Sequence, residues 1–153
     1  MITYYKNFLT DEISNELIDY YLNNKSKEWS NKDEVYSFDA LDIPTDANLK
    51  VFSKFNPKNP IAFRIQKLDK SVEVNEYQHT HLHAWSYLFY LNDNFIGGEL
   101  LVEDNITIKP KKNSLIVMTG ELPHSVAQVI DGERLVLVCF SKELINIKQN
   151  DLI

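Results

Sequence analysis

Cysteine, glycine and surplus positive charge are all scarce in this chain. A single cysteine, Cys139, stands in 153 residues. Neither a disulfide framework nor a cysteine-built zinc site can be assembled from it. Basic residues number 16 against 22 acidic, and the net charge of −6 divides equally between the two halves. No basic tail or face stands apart to hold a phosphate backbone, which disfavours nucleic acid. One local basic spot remains at Lys109, Lys111 and Lys112. No apolar run approaches the ~20 residues of a membrane span. The opening Met1-Ile2-Thr3-Tyr4-Tyr5-Lys6 lacks the basic-then-apolar order of a signal peptide, so the expectation is a cytoplasmic protein without membrane contact. With only 4 glycines in the chain, the adjacent pair Gly97-Gly98 points to a turn that needs unusual φ.

What is present fits an ordinary globular domain, at 44% hydrophobic and 25% charged residues. The length predicts one domain with a real core. Ile2 to Tyr5 reads as a short strand. Thr10 is an N-cap candidate, with Asp11 and Glu12 in the first turn where carboxylates suit the helix dipole. Ile13, Leu17, Ile18 and Tyr21 then recur at helical spacing. Residues 25–33 read as loop, Glu34 to Phe38 as a strand, and Thr45 to Phe55 as a second helix ended by the prolines at 57 and 60. Beyond Ile61 the texture becomes β-prone, with strands expected at 61–68, 72–79, 85–91, 99–103, 106–109, 114–118, 124–130 and 133–140. Short strands following helices predict a mainly β fold with N-terminal helices: a double-sheet jelly roll, or double-stranded β-helix, with helical support.

Three of the four histidines fall at 79, 81 and 83, and the fourth is His124. Residues i and i+2 of a strand share a face, so His79 and His81 can point inward together. Two such imidazoles and a distant third make a workable facial metal site. The alternative is a polar strand end with histidines in solvent. Arg134 follows His124 by ten residues and opens the apolar run Leu135 to Phe140. An arginine on a strand destined for burial needs a partner. A ligand carboxylate would suit its bidentate fork, and the competing reading pairs it with Glu133 at the rim.

The stretch runs His79-Thr80-His81, then Tyr87-Leu88-Phe89-Tyr90-Leu91-Asn92, then Gly97-Gly98-Glu99-Leu100. Ile108-Lys109-Pro110-Lys111-Lys112-Asn113, Pro123-His124-Ser125-Val126 and Gly132-Glu133-Arg134-Leu135 follow. In order and spacing these resemble the iron(II)- and 2-oxoglutarate-dependent dioxygenases, specifically the prolyl-4-hydroxylase-like branch. That family's pattern is H-x-D, a "YLN" strand, "GGEL", a "P-x-x-G" turn, a distal H, and an R about ten residues later. Asn7 to Glu12 also looks like the family's entry into its first helix. The resemblance covers roughly residues 60–141 well and 1–24 loosely.

The resemblance implies one dioxygenase-like domain over 1–153, with Fe(II) and 2-oxoglutarate as cofactors and O2 as co-substrate. Carried over by position, it implies His79, His81 and His124 as the catalytic metal ligands and Arg134 as the grip on the far carboxylate of 2-oxoglutarate. The aspartate of H-x-D falls on His81, which leaves the metal one unit more positive. A shifted register, His81 with His83, would leave almost no room for the turn into the strand at Trp85. The family often sets a tyrosine hydroxyl against the keto acid, at the position where this chain has Phe89. Tyr87 and Tyr77 are the candidates to replace it, each with a plain core-aromatic alternative. The implied activity is hydroxylation of a peptide or small molecule. Two other readings stay open: a cupin-type three-histidine metal dioxygenase that needs no keto acid, and a non-catalytic binding domain that keeps the fold. The Asp131-Gly132 turn is expected to join neighbouring antiparallel strands, placing Val126 beside Arg134.

Overall fold

Ile2–Tyr5 forms strand β1, and the chain turns at Asn7, φ 52°, into helix α1, Asp11–Asn23. The computed structural model describes residues 1–23, 29–30, 36–39, 60–74, 84–144 and 147, with side chains over 1–23, 65–74, 84–144 and 147. Thr10 caps α1 as the sequence predicts: Ile13 N donates to its Oγ1 at 3.3 Å and Ser14 N to its carbonyl at 3.1 Å. Ile13, Leu17 and Tyr21 form the buried stripe of the helix. Fully burying such a side chain stabilises by ~1.5–3 kcal/mol, so packing rather than propensity holds so short a helix.

Strands follow: β2 Trp29–Ser30, β3 Tyr36–Asp39, β4 Pro60–Leu68, β5 Trp85–Tyr90, β6 Ile96–Gly97 and β7 Leu100–Val102. They continue as β8 Ile106–Ile108, β9 Leu115–Thr119, β10 His124–Val126, β11 Val129–Asp131 and β12 Arg134–Ser141. Most lie within a residue or two of their expected places. Residues 29–30 are strand where loop was expected. The run 124–130 divides at Ala127-Gln128, because Ala127 N turns to Glu99 O and Gln128 O accepts from Gly98 N. The expected strand at 72–79 does not begin at 72, since Val72 N closes a turn onto Asp69 O. Its residues 75–79, and the expected helix at 45–55, lie outside the described residues.

The seven-stranded sheet runs β1-β9-β5-β12-β4-β3-β2, and a three-stranded sheet runs β10-β7-β8. The ribbon β11-β6 makes a third, two-stranded piece. One face of the large sheet packs on α1: Tyr87, Phe89, Leu135, Leu137 and Cys139 meet Phe8, Leu9, Ile13 and Leu17. The other face meets the small sheet, with Leu88, Tyr90, Val136 and Val138 against Leu100 and Val102. This is the double-sheet roll with helical support that the sequence predicts. The expected hairpin between Val126 and Arg134 is not made. Val126 pairs with Leu100 in the small sheet, while Arg134 pairs with Leu68 in the large one. Strands β10 and β12 therefore lie in different sheets instead of side by side.

Candidate active site

Alternation along β12 decides which side chains enter the space between the sheets. Leu135, Leu137 and Cys139 face α1, so Arg134, Val136 and Val138 face inward. Arg134 is 2% exposed. Its Nε donates to Gly98 O at 3.1 Å and its Nη2 to Tyr90 Oη at 2.9 Å. Its guanidinium carbon lies 5.1 Å from the centre of the Tyr90 ring, within reach of the ring's negative face. The rim pairing with Glu133 is therefore excluded. Among the described residues no carboxylate pairs with Arg134; its partners are a carbonyl, a phenol and a ring.

Gly98 makes that geometry possible. It sits at φ +68°, and a Cβ there would stand 3.0 Å from the Cδ of Arg134. Gly97, at φ +79°, has no room for one either, with Gln128 O only 2.2 Å from the position. The pair forms the turn that its sequence suggested, and Gly98 also supplies the carbonyl under the guanidinium.

Tyr90 is the residue sequence reasoning passed over. It is buried among the inter-sheet residues, and burial raises its pKa while the Arg134 charge lowers it in part. The phenol stays protonated, so it can accept from Arg134 and still give its own proton. Tyr87, the candidate named for this task, is corrected by the structure. It faces α1, and its hydroxyl donates to Glu143 O at 3.1 Å. The two tyrosines are three apart on one strand and so point to opposite faces. Tyr77 lies outside the described residues.

His124 opens β10 and stands opposite Val102, an inter-sheet residue, so its ring also points into the space between the sheets. It is 5% exposed. Its Nδ1 lies 2.7 Å from Leu122 O. A carbonyl accepts only, so Nδ1 carries the proton and the lone pair stays on Nε2, the tautomer a metal requires. Burial lowers its pKa, which favours that neutral form. His79, His81 and His83 lie outside the described residues. Glu121 is exposed in the turn before His124. The inward imidazole and the buried guanidinium fit the two cofactors that the sequence resemblance implies: one offers a nitrogen lone pair to a metal, the other a carboxylate seat.

No curated protein matches the chain by sequence. Residues 66–142, half of the chain, match the profile of the 2OG-Fe(II) oxygenase superfamily. Among solved structures, a prolyl hydroxylase from Trichoplax adhaerens, in complex with a hypoxia inducible factor oxygen degradation domain peptide fragment, superposes with a TM-score of 0.74. It is 15% identical, over 91% of this chain and 82% of that one. A Pseudomonas putida prolyl-4-hydroxylase gives a TM-score of 0.73 at 15% identity, over 93% of this chain and 92% of that one. The viral collagen prolyl hydroxylase of Paramecium Bursaria Chlorella virus-1, in its 2OG complex, gives 0.61 at 15% identity, over 91% and 93%. At such identity these likenesses establish the double-stranded β-helix fold, and the profile establishes the kinship: the chain belongs to the 2OG-Fe(II) oxygenase superfamily, and iron(II) and 2-oxoglutarate are its cofactors.

Proposed function

We propose that this protein hydroxylates a peptide or small molecule, with His79, His81 and His124 holding the iron and Arg134 and Tyr90 seating 2-oxoglutarate. When bound, iron(II) with the keto acid supplies the oxidation: O2 and 2-oxoglutarate are consumed, succinate and CO2 are released, and one oxygen atom enters a substrate C–H bond. The chain's own residues position and select. Arg134 has five N–H donors, of which Gly98 O and Tyr90 Oη engage two. The remaining donors and the Tyr90 hydroxyl proton offer a carboxylate a charged, multidentate seat. His124 keeps its proton on Nδ1, against Leu122 O, which leaves Nε2 as the nitrogen for the metal.

The observation that carries this reading is a buried guanidinium with no carboxylate partner among the described residues. A charge at 2% exposure with only neutral partners among the described residues is costly. An anionic ligand arriving there completes the site. The cupin reading leaves that charge without a purpose. Metal binding by His81 in place of aspartate keeps a three-donor facial set, since imidazole suits iron. The prolyl hydroxylase with a bound peptide shares this fold, which makes a peptide a reasonable substrate class. The same reading treats 1–153 as one working domain placed in the cytoplasm.

Anaerobic titration with Fe(II) and 2-oxoglutarate tests it. The expected result is a visible metal-to-ligand charge-transfer band that needs both components and saturates at one equivalent of each. Stoichiometric metal binding with no response to 2-oxoglutarate would favour the cupin reading instead.

A further inference from the structure

We infer that Asn92 is a positioning residue for 2-oxoglutarate, holding the backbone on both sides of Arg134 so that the guanidinium meets the far carboxylate. The inference rests on the reading of Arg134 given above.

Strand β5 ends at Tyr90, two residues before Asn92. Its ladder to β12 makes one more backbone contact, Leu91 N to Leu135 O at 3.0 Å, and the chain then leaves for the loop at Asp93-Asn94. The start of β12 would have no neighbour on this side. The side chain of Asn92 takes the place of the missing strand. Leu135 N donates to its Oδ1 at 3.0 Å, and its Nδ2 donates to Glu133 O at 2.7 Å. A second Nδ2 contact, to Asn94 Oδ1 at 2.9 Å, anchors the amide to its own loop. The amide's orientation follows from its partners, because a backbone N–H needs the oxygen and a backbone carbonyl needs the nitrogen.

Glu133 and Leu135 are the residues on either side of Arg134. On the opposite side of the strand, β4 holds the same stretch, with Arg134 opposite Leu68 and Leu135 opposite Lys67. Asn92 therefore closes the second edge at the one place where β12 must hold a charged side chain inward. A small rotation of the Arg134 backbone would move a long side chain far at its tip. It would also break Nε from Gly98 O and Nη2 from Tyr90. Misplacing a positioned group by an ångström is enough to lose much of its effect.

The test compares two keto acids on the Fe(II)-loaded protein without oxygen, with affinity read from the charge-transfer band. 2-Oxoglutarate carries the far carboxylate. 2-Oxobutyrate has the same chelating end and stops short of Arg134. Asn92→Ala is expected to weaken 2-oxoglutarate roughly 5- to 30-fold, the equivalent of losing one or two part-buried hydrogen bonds. 2-Oxobutyrate affinity should stay within about twofold. In an Arg134→Ala background the same change should add nothing further, because both variants disable one interaction. Asn92→Asp keeps the acceptor for Leu135 N and loses the donor to Glu133 O. It should show the same selectivity, and it serves in place of Asn92→Ala if the latter does not fold. Equal weakening of both keto acids would mean a merely structural residue and overturn the proposal. So would wild-type 2-oxoglutarate affinity in the Asn92 variants while Arg134→Ala loses it. Wild-type affinity in Arg134→Ala would instead overturn the reading of Arg134, and this proposal with it.

Discussion

Arg134 and Tyr90 form the proposed seat for 2-oxoglutarate at the scale of single residues, and Tyr90 has a control close by. Tyr90→Phe removes the hydroxyl that meets Nη2 of Arg134 at 2.9 Å. The ring and its packing remain, so the fold should hold. The expected loss is ~1–2 kcal/mol, which calorimetric titration would show as roughly 5- to 30-fold weaker 2-oxoglutarate binding. Tyr87→Phe removes a hydroxyl on the helix side, bonded to Glu143 O. It should cost about 1 kcal/mol of stability and leave 2-oxoglutarate affinity unchanged. Reversal of these two results would mean that the faces of β5 are assigned the wrong way round. The sequence could not separate the two tyrosines. β5 is buried on both faces from Ser86 to Tyr90, so no polar alternation marks which side faces the ligand. Arg134 was legible for the opposite reason, being a charge at the head of an apolar strand. At the metal, His79→Ala and His124→Ala should each cut metal content sharply, read by metal analysis after desalting, and His83→Ala should not. His81→Asp restores the carboxylate that the family pattern carries. It should retain iron and form succinate at least as fast as the native chain, and slower turnover with iron retained would contradict that.

At the scale of elements, the turn Lys111–Asn113 locks α1 to the large sheet. Asn113 sits at φ 70°, in the position of the glycine in the family's "P-x-x-G" turn. Its N donates to Tyr90 O at 2.8 Å, and its carbonyl accepts from Leu9 N at 3.0 Å. Its side chain accepts from Ser14 Oγ and donates to Asp11 Oδ1 at 2.8 Å, while Lys112 Nζ reaches Asn15 Oδ1 at 2.9 Å. Asn113→Gly keeps the backbone at ease and removes both side-chain bonds. Loss of the part-buried Ser14 bond should lower stability by ~1 kcal/mol in urea unfolding. Asn113→Ala should lose more, because alanine also resists positive φ. The Asn113 bond and the Lys112 charge hold the pKa of Asp11 below its ordinary 3.8. A depressed carboxylate stabilises the folded state above its unfolded pKa and loses that effect as pH falls through the folded one. The stability gap between the native chain and Asn113→Gly should therefore be full above about pH 4 and narrow in stronger acid. A gap that widens in acid would contradict this account of the clamp. The helix itself was legible from Thr10, Asp11 and the 13/17/21 spacing, since cap and stripe are local signals. The clamp was not, because Asp11 and Asn113 meet only across the folded chain.

At the scale of the whole molecule, the roll brings residues on different sheets to one interior. His124 enters from β10 and Arg134 from β12, although only ten residues separate them. The sequence suggested neighbouring strands, because the Asp131-Gly132 turn reads as a local hairpin. Instead β12 pairs with β4 and β5, while β11 pairs with β6. Short strands of similar character carry no mark of which sheet they join. The crossing still leaves His124 and Arg134 facing the same space between the sheets. On the proposed site the ligands sit between the two sheets, so they should stabilise both together. With 2-oxoglutarate at 100 times its dissociation constant, the linkage is about 2.7 kcal/mol. For a chain of this size that is a rise in melting temperature of roughly 5–10 °C. The rise should need metal, and 2-oxoglutarate alone should shift the transition little. An equal rise without metal would place the keto acid somewhere other than this interior.

The most direct measurement is isothermal titration of 2-oxoglutarate into the metal-loaded native protein, Arg134→Ala and Arg134→Lys, at one ionic strength. Truncating one partner of a buried charge pair costs roughly 2–5 kcal/mol. At tenfold per ~1.4 kcal/mol, Arg134→Ala should bind 2-oxoglutarate roughly 30- to several-thousand-fold more weakly, with metal content unchanged. Arg134→Lys should recover only part, because lysine keeps the charge and lacks the planar fork. Native affinity in a folded, metal-loaded Arg134→Ala would contradict the assignment of this buried guanidinium as the seat of the far carboxylate.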